Sequence, residues 1–294
     1  MRGRGLARLA TRCVPALATL ATLAAAAVGA GCSMPSAIAP SLKGSVGVPH
    51  AGFLTDAAEL PKQGHGFVWR TRFDHHYALP RMIALLEQAA DAVATAHPGT
   101  PPLYVGELSA KGGGALMPKH RSHRTGRDVD LMFFRSRPDG VPIAGDDFAK
   151  LGADGLGVDT HGAFVRFDVA REWSLVRALL SSNDAHVQWM FIARPLEAML
   201  IEHAIALGEP SALIARAEQV LQQPGDSLPH DDHLHLRLAC EPDELSAGCD
   251  GGGPRWAWLP QATVIEASEG ELLDALLGAS VLAAPEPPLA AAAP

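Results

Sequence analysis

The sequence predicts one mixed α+β domain, and three observations predict it. Some stretches place apolar residues at helical spacing, others alternate strictly, and no internal repeat divides residues 44–250. Behind Pro80, residues 81–96 set Met82, Leu85, Leu86, Ala89 and Val93 on one helical face and stop before His97-Pro98-Gly99. Residues 103–108 read as a strand, and Val129-Asp-Leu-Met-Phe-Phe134 as a strand entering the core. Asp168 is a good N-cap for a second amphipathic helix over 168–180, with Trp173, Val176 and Leu180 turned inward. Residues 186–192 alternate like a strand, and 195–207 and 210–222 read as helices. The last element, His233-Leu-His-Leu-Arg-Leu238, has the period of a half-buried strand. His233, His235 and Arg237 therefore share one face, and Leu234, Leu236 and Leu238 point into the core.

The ends of the chain differ from this middle. Residues 1–31 carry Arg2, Arg4, Arg8 and Arg12, then an apolar run from 14 to 30 that is almost wholly Ala, Leu, Val, Thr and Gly, the pattern of an export signal. About seventeen residues is also the lower limit for a membrane span, but the run is alanine-rich and weakly hydrophobic, which favours the signal. It ends in Val28-Gly-Ala-Gly-Cys32, small residues before a cysteine, as at a bacterial lipoprotein processing site; Gly29 stands where Leu is more usual. Cys32 is thus the expected lipidation site. Ser33 follows it, and without an Asp there the expected destination is the periplasmic side of the outer membrane. Residues 32–43 read as a flexible tether. From Gly251 the chain turns Gly-, Pro- and Ala-rich, and 251–294 reads as a mostly disordered tail in which Trp256 and Trp258 are expected to pack on the domain.

Cysteine usage agrees with export. Cys13 leaves with the signal and Cys32 takes the lipid, so Cys240 and Cys249 remain to close a small loop as a disulfide. The formal charge is −8, and loss of the signal's four arginines leaves 20 basic against 32 acidic residues, or −12. Such a balance argues against nucleic-acid binding. Lys119, Arg121, Arg124 and Arg127 cluster nonetheless, either to hold substrate carboxylates or to balance Asp128, Asp130, Asp231 and Asp232.

The chemistry lies in two segments, His123-Arg-Thr-Gly-Arg-Asp-Val-Asp130 and His230-Asp-Asp-His-Leu-His235. A catalytic zinc takes three protein ligands and leaves a position for water, and these segments offer a His and an Asp, and a His with others beside it. Two imidazoles on one strand face repel when protonated, a conflict that a metal removes. Gly126 argues against a continuous helix from His123 to Asp130, so a turn at Thr125-Gly126 would bring His123 back towards the strand. Asp130 at a buried strand start needs a partner or a metal, and Asp128 is the rival carboxylate. Ser109 and Ser122 lack a G-x-S-x-G element, which leaves the serine-hydrolase reading without support.

The ordered set Ser45-Val-Gly-Val-Pro49, Gly52, Leu60-Pro61, Val105-Gly-Glu-Leu-Ser109, Gly112-Gly-Gly114, His120, Ser122-His123, Thr125-Gly126, Asp128-Val-Asp130 and residues 230–238 resembles the penicillin-insensitive murein endopeptidases, a group of LAS-type zinc metallopeptidases. The resemblance covers residues 44–249 and implies a single domain with a central, mainly antiparallel sheet flanked by helices. It implies one catalytic Zn2+ held by His123, Asp130 and His235, the H-x(6)-D pair and the last His of the H-x-H pair. His233 and His230 would then stand beside the metal-activated water as base and oxyanion donor, in either order. His120 matches a further His that binds an accessory ion or the substrate. The implied substrate is peptidoglycan peptide, cut at the D-alanyl to meso-diaminopimelyl cross-link. The competing readings are a D,D-carboxypeptidase or dipeptidase of the same fold, and a zinc-containing wall-binding module without turnover. Oligomeric state is not legible from the sequence.

Overall fold

Strict alternation from His233 to Leu238 places that segment at the centre of a mixed sheet, paired on both edges. The computed structural model describes residues 44–70, 74–114, 121–225 and 227–261; the leader, Cys32, the tether, His120 and residues 262–294 of the tail lie outside the described residues. Among the described residues the main sheet has seven strands: β1 (Gln63–Gly64), β2 (Phe67–Trp69), β3 (Leu103–Val105), β4 (Asp128–Met132), β5 (Val187–Phe191), β6 (Leu221–Gln222) and β7 (His233–Leu238). Their order is β6-β5-β7-β4-β3-β2-β1. Only the β5–β6 and β2–β3 pairs are parallel, so the sheet is mainly antiparallel.

Five helices accompany it among the described residues: α1 (Pro80–Ala96), α2 (Val169–Leu180), α3 (Arg194–Leu207), α4 (Ser211–Val220) and α5 (Pro242–Ser246). Helix α1 begins at Pro80, where a missing N–H costs nothing, and ends before Pro98, which disfavours helical backbone at His97. Its apolar stripe, Met82, Leu85, Leu86, Ala89 and Val93, is buried, and α1 packs against α2. Asp168 caps α2 by accepting the Arg171 N–H at 3.2 Å. On β7, Leu234, Leu236 and Leu238 are fully buried in the core, which leaves the opposite face to His233, His235 and Arg237.

Two boundaries differ from the sequence expectation. The helix expected over 210–222 stops at Val220, because Leu221 and Gln222 turn extended and pair with Met190 and Phe191 on the edge of β5. The strand expected over 103–108 ends at Val105; beyond it the Gly106 N–H goes to Asp130 O and the Leu108 N–H to His75 O. A second sheet of four antiparallel strands, built from Arg135–Ser136, Pro142–Ile143, Leu156–Val158 and Phe164–Phe167, had no counterpart in the sequence reading. Its strands are two to four residues long, too short for alternation to announce them.

Cys240 and Cys249 form a disulfide around α5, with their Cα atoms 6.0 Å apart. Trp256 donates its indole N–H to Gln188 O at 2.8 Å and meets Trp189 edge-on at 5.2 Å, so residues just past Gly251 pack along β5.

Buried Glu172 gives the fold a pH dependence. One oxygen accepts the Phe134 N–H at 3.0 Å, and the other has no partner among the described residues. Burial, helped by Asp168 and opposed by the Phe134 N–H and Arg171, pushes its carboxyl from the ordinary 4.5 up to about 8. Between those values the folded chain keeps the proton and the unfolded chain releases it. This contribution to stability is therefore full below pH 4.5 and is lost as pH rises to about 8, with a slope approaching about 1.4 kcal/mol per pH unit. Glu172→Gln is expected to flatten that decline in urea-unfolding midpoints. An unchanged slope in the variant would exclude Glu172 as its source.

Candidate metal centre

The first segment reaches the sheet through two left-handed residues. Gly126 has φ +74°, and a β-carbon there would stand 2.7 Å from Leu54 Cδ1 and 3.1 Å from Leu79 N. His123 has φ +65°, a conformation that costs a residue with a β-carbon about 1–3 kcal/mol and tends to collect at functional sites. Between His123 and β4 lies Arg127, fully buried, which donates to Ser45 Oγ at 2.9 Å, Leu238 O at 2.9 Å and Asp250 O at 3.0 Å. Burial lowers its pKa to about 10, still far above neutrality. Arg127 thus ties Ser45, at the start of a short strand Ser45–Val48, the end of β7 and the disulfide loop to the start of β4. Its hydrogen bonds go to a hydroxyl and two backbone carbonyls rather than to the carboxylates of Asp128 or Asp130.

Antiparallel register brings the two segments together: His235 sits opposite Asp130, and Arg237 opposite Asp128. Directly opposed residues project from the same face, so the pairing is one of side chains as well as backbone. His235 Nδ1 lies 2.8 Å from Asp130 Oδ1, His123 Nε2 3.3 Å and His233 Nε2 3.4 Å from the same oxygen. The His123 and His235 rings meet nearly perpendicular at 4.8 Å. Asp130 sits within the sheet rather than at the strand start that the sequence suggested, and it is nearly sealed.

Asp128 holds the far side of His235. Its Oδ1 is 2.9 Å from His235 Nε2 and accepts the Arg237 Nε–H at 2.6 Å. His235 therefore has a carboxylate oxygen against each nitrogen, although a neutral imidazole can donate from only one. The crowding of three imidazole nitrogens on one oxygen of Asp130 has the same character. Either several imidazolium charges share that oxygen, or a cation stands among the donors. Among the described residues two groups have ligand atoms within 4.8 Å of one another and can hold a metal, His123–Asp130–His235 and His230–His233–His235. Two imidazole nitrogens and a carboxylate oxygen, with further histidines on the open side, suit a zinc-like ion.

Electrostatics separate the remaining histidines. Burial opposes charge on His233, but Asp130 and then Asp232 outweigh it and raise its pKa to about 10; Asp232 Oδ1 is 2.6 Å from His233 Nδ1. Burial and the neighbouring His235 and His233 push His230 down to about 3, so it is neutral, and its Nδ1 has no partner among the described residues. The His230 ring lies 5.1 Å from His233 and 5.6 Å from His235. Asp130 is held well below the usual carboxylate range against its burial by His123 and His233, and Asp128 likewise by Arg237 and His235. Of the acidic pair, Asp232 orients His233, while Asp231 meets Lys150 Nζ at 3.3 Å.

His123, Asp130, His230, Asp232, His233 and His235 line one cleft of roughly 1520 Å³, whose other walls include Phe148, Lys150, Trp189, Phe191 and Arg237. The structure brings together His123, Asp130, His230, His233 and His235; His120 lies outside the described residues. Sequence reasoning missed Arg237 as the brace of Asp128, although alternation had already put it on the histidine face. It also missed Phe191, packed 5.5 Å from His235 and 5.7 Å from His230, because nothing in an isolated strand shows its neighbour.

Comparison with known proteins bears on the same residues. The sequence profile of the penicillin-insensitive murein endopeptidase family matches residues 45–254, which include every group just described. A penicillin-insensitive murein endopeptidase of Haemophilus influenzae is 26% identical over 207 residues, covering 69% of this chain and 65% of that protein. Proteins of the same name from two Escherichia coli strains are 24% identical over 207 residues, covering 70% of each chain. The chain thus spans just under two thirds of the length of the Haemophilus relative. A match across most of the folded domain, with both histidine segments inside it, shows that the chain belongs to the penicillin-insensitive murein endopeptidase family.

Proposed function

We propose that this chain is a zinc-dependent murein endopeptidase that hydrolyses peptide cross-links of peptidoglycan, between D-alanyl and meso-diaminopimelyl residues. One observation carries the reading: His123, Asp130 and His235 converge in one cleft with His233 and His230 beside them. Zinc held there would supply Lewis acidity that lowers the pKa of water from about 15.7 toward about 7.

The chain's own residues complete the chemistry. Asp128 takes the Nε2–H of His235 and leaves its Nδ1 lone pair facing Asp130 and His123. Asp232 holds Nδ1 of His233; the Asp130 charge that raises His233 would be compensated by the cation held there, which would leave Nε2 free to take the proton of the attacking water and return it to the leaving amine. His230, neutral by burial, donates a hydrogen bond to the oxygen that becomes negative at the scissile carbonyl. His120 is kept as the residue for an accessory ion or for substrate. The leader and Cys32 support a periplasmic protein tethered to the outer membrane, which fractionation of the full-length protein checks.

The test is conversion of cross-linked muropeptide dimers to monomers by zinc-loaded protein, with metal content measured in parallel. Chelation is expected to abolish conversion and added zinc to restore it. Release of terminal D-Ala with intact dimers would replace the reading with a carboxypeptidase. Binding to sacculi without any cleavage would replace it with a wall-binding module.

A further inference from the structure

We propose that Arg237 is a carboxylate anchor of the substrate cleft, reading the carboxylate on the residue that supplies the leaving amine; this deepens the endopeptidase reading and rests on it. Arg237 is two residues from His235 on the same strand face, about 6.8 Å along the strand. Its guanidinium is fixed from two sides: Nε donates to buried Asp128 at 2.6 Å, and Cζ lies 5.4 Å from the centre of the Phe191 ring. A guanidinium carries five N–H donors, so this brace leaves the four on Nη1 and Nη2. Among the described residues these make no hydrogen bond, and they are not buried atoms; the side chain is 13% exposed and lines the cleft. An arginine already held in place loses little freedom when a carboxylate arrives, and its paired Nη groups match the two carboxylate oxygens.

The surroundings fit the rest of such a residue. Trp189 faces Arg237 across the β5–β7 register and stacks on Phe191 at 5.8 Å, so the guanidinium rises from an aromatic floor. That floor suits the aliphatic chain of a diaminopimelyl residue, whose carboxylate sits one carbon from the amine that the reaction frees. Lys150, another cation of this cleft, is 67% exposed and meets Asp231, so it offers a less ordered site.

The experiment titrates zinc-loaded protein with the tripeptide L-Ala-γ-D-Glu-meso-diaminopimelate, and with the same tripeptide amidated at the carboxyl beside the amine that cleavage frees. Wild type is expected to bind the acid about 10- to 100-fold more tightly. Arg237→Gln is expected to bind both equally, at the weak level. Arg237→Lys, which keeps the charge without the fork, is expected to retain a several-fold smaller preference. A purely structural role for Arg237 would weaken both ligands alike and leave their ratio unchanged. An undiminished ratio in either variant, or no preference in wild type, would overturn the anchor. Wild-type protein that leaves dimers uncut yet shows the ratio would sink the endopeptidase reading and not the anchor.

Discussion

His235→Ala is expected to lose the ion and the activity together, whereas His233→Ala keeps the ion and loses the activity. His235 joins the two groups of candidate ligands and stands opposite Asp130 in register, so its loss takes a nitrogen from both groups at once. Loss of an outer partner of a metal ligand typically weakens binding 10- to 100-fold, and loss of the ligand itself should exceed about 100-fold. His233, in contrast, is held through Asp232, and its removal takes away proton transfer, a contribution of about 10²–10⁴ in rate. Metal content of dialysed protein and dimer-to-monomer conversion read the two effects separately. The same assay separates the two carboxylates. Asp130→Asn should behave like His235→Ala, and Asp128→Asn should retain an ion bound about 10- to 100-fold more weakly. Equal zinc in the His235 and His233 variants would sink the ligand assignment.

Arg127→Ala is expected to destabilise the fold by about 3–5 kcal/mol, although residue 127 touches neither metal nor substrate in this reading. Three oxygens from distant parts of the chain converge on its buried guanidinium, and each loses its donor in the variant. An unsatisfied buried acceptor costs about 1–3 kcal/mol. Because the Leu238 and Asp250 carbonyls flank the disulfide loop, the loss should loosen the end of β7 as well. Arg127→Lys, reaching fewer of the three, should lose less. Urea unfolding measures both, and a change below about 1 kcal/mol in Arg127→Ala would show that water replaces the guanidinium without loss.

Much of the candidate site was legible in the sequence because its residues sit where local rules speak. Alternation in β7 put His233, His235 and Arg237 on one face, and the buried leucines bear this out. Gly126 marked the bend that returns His123, and its left-handed backbone shows why a helix fails there. Pro80 and Asp168 marked the starts of α1 and α2. The four-stranded sheet escaped because its strands are too short for periodicity.

What the sequence by itself determined was the α+β class, the faces of the long helices and of β7, the disulfide pair, and the set of histidines and aspartates able to meet. What only the tertiary structure decided was which side chains surround Asp128 and which surround Asp130. The two carboxylates lie two residues apart on one strand face, and local chemistry does not distinguish them. Strand register did: it set Asp130 opposite His235 and within reach of His123, and Asp128 opposite Arg237. Register depends on hydrogen bonds between segments about a hundred residues apart, and no window of sequence contains both sides of them.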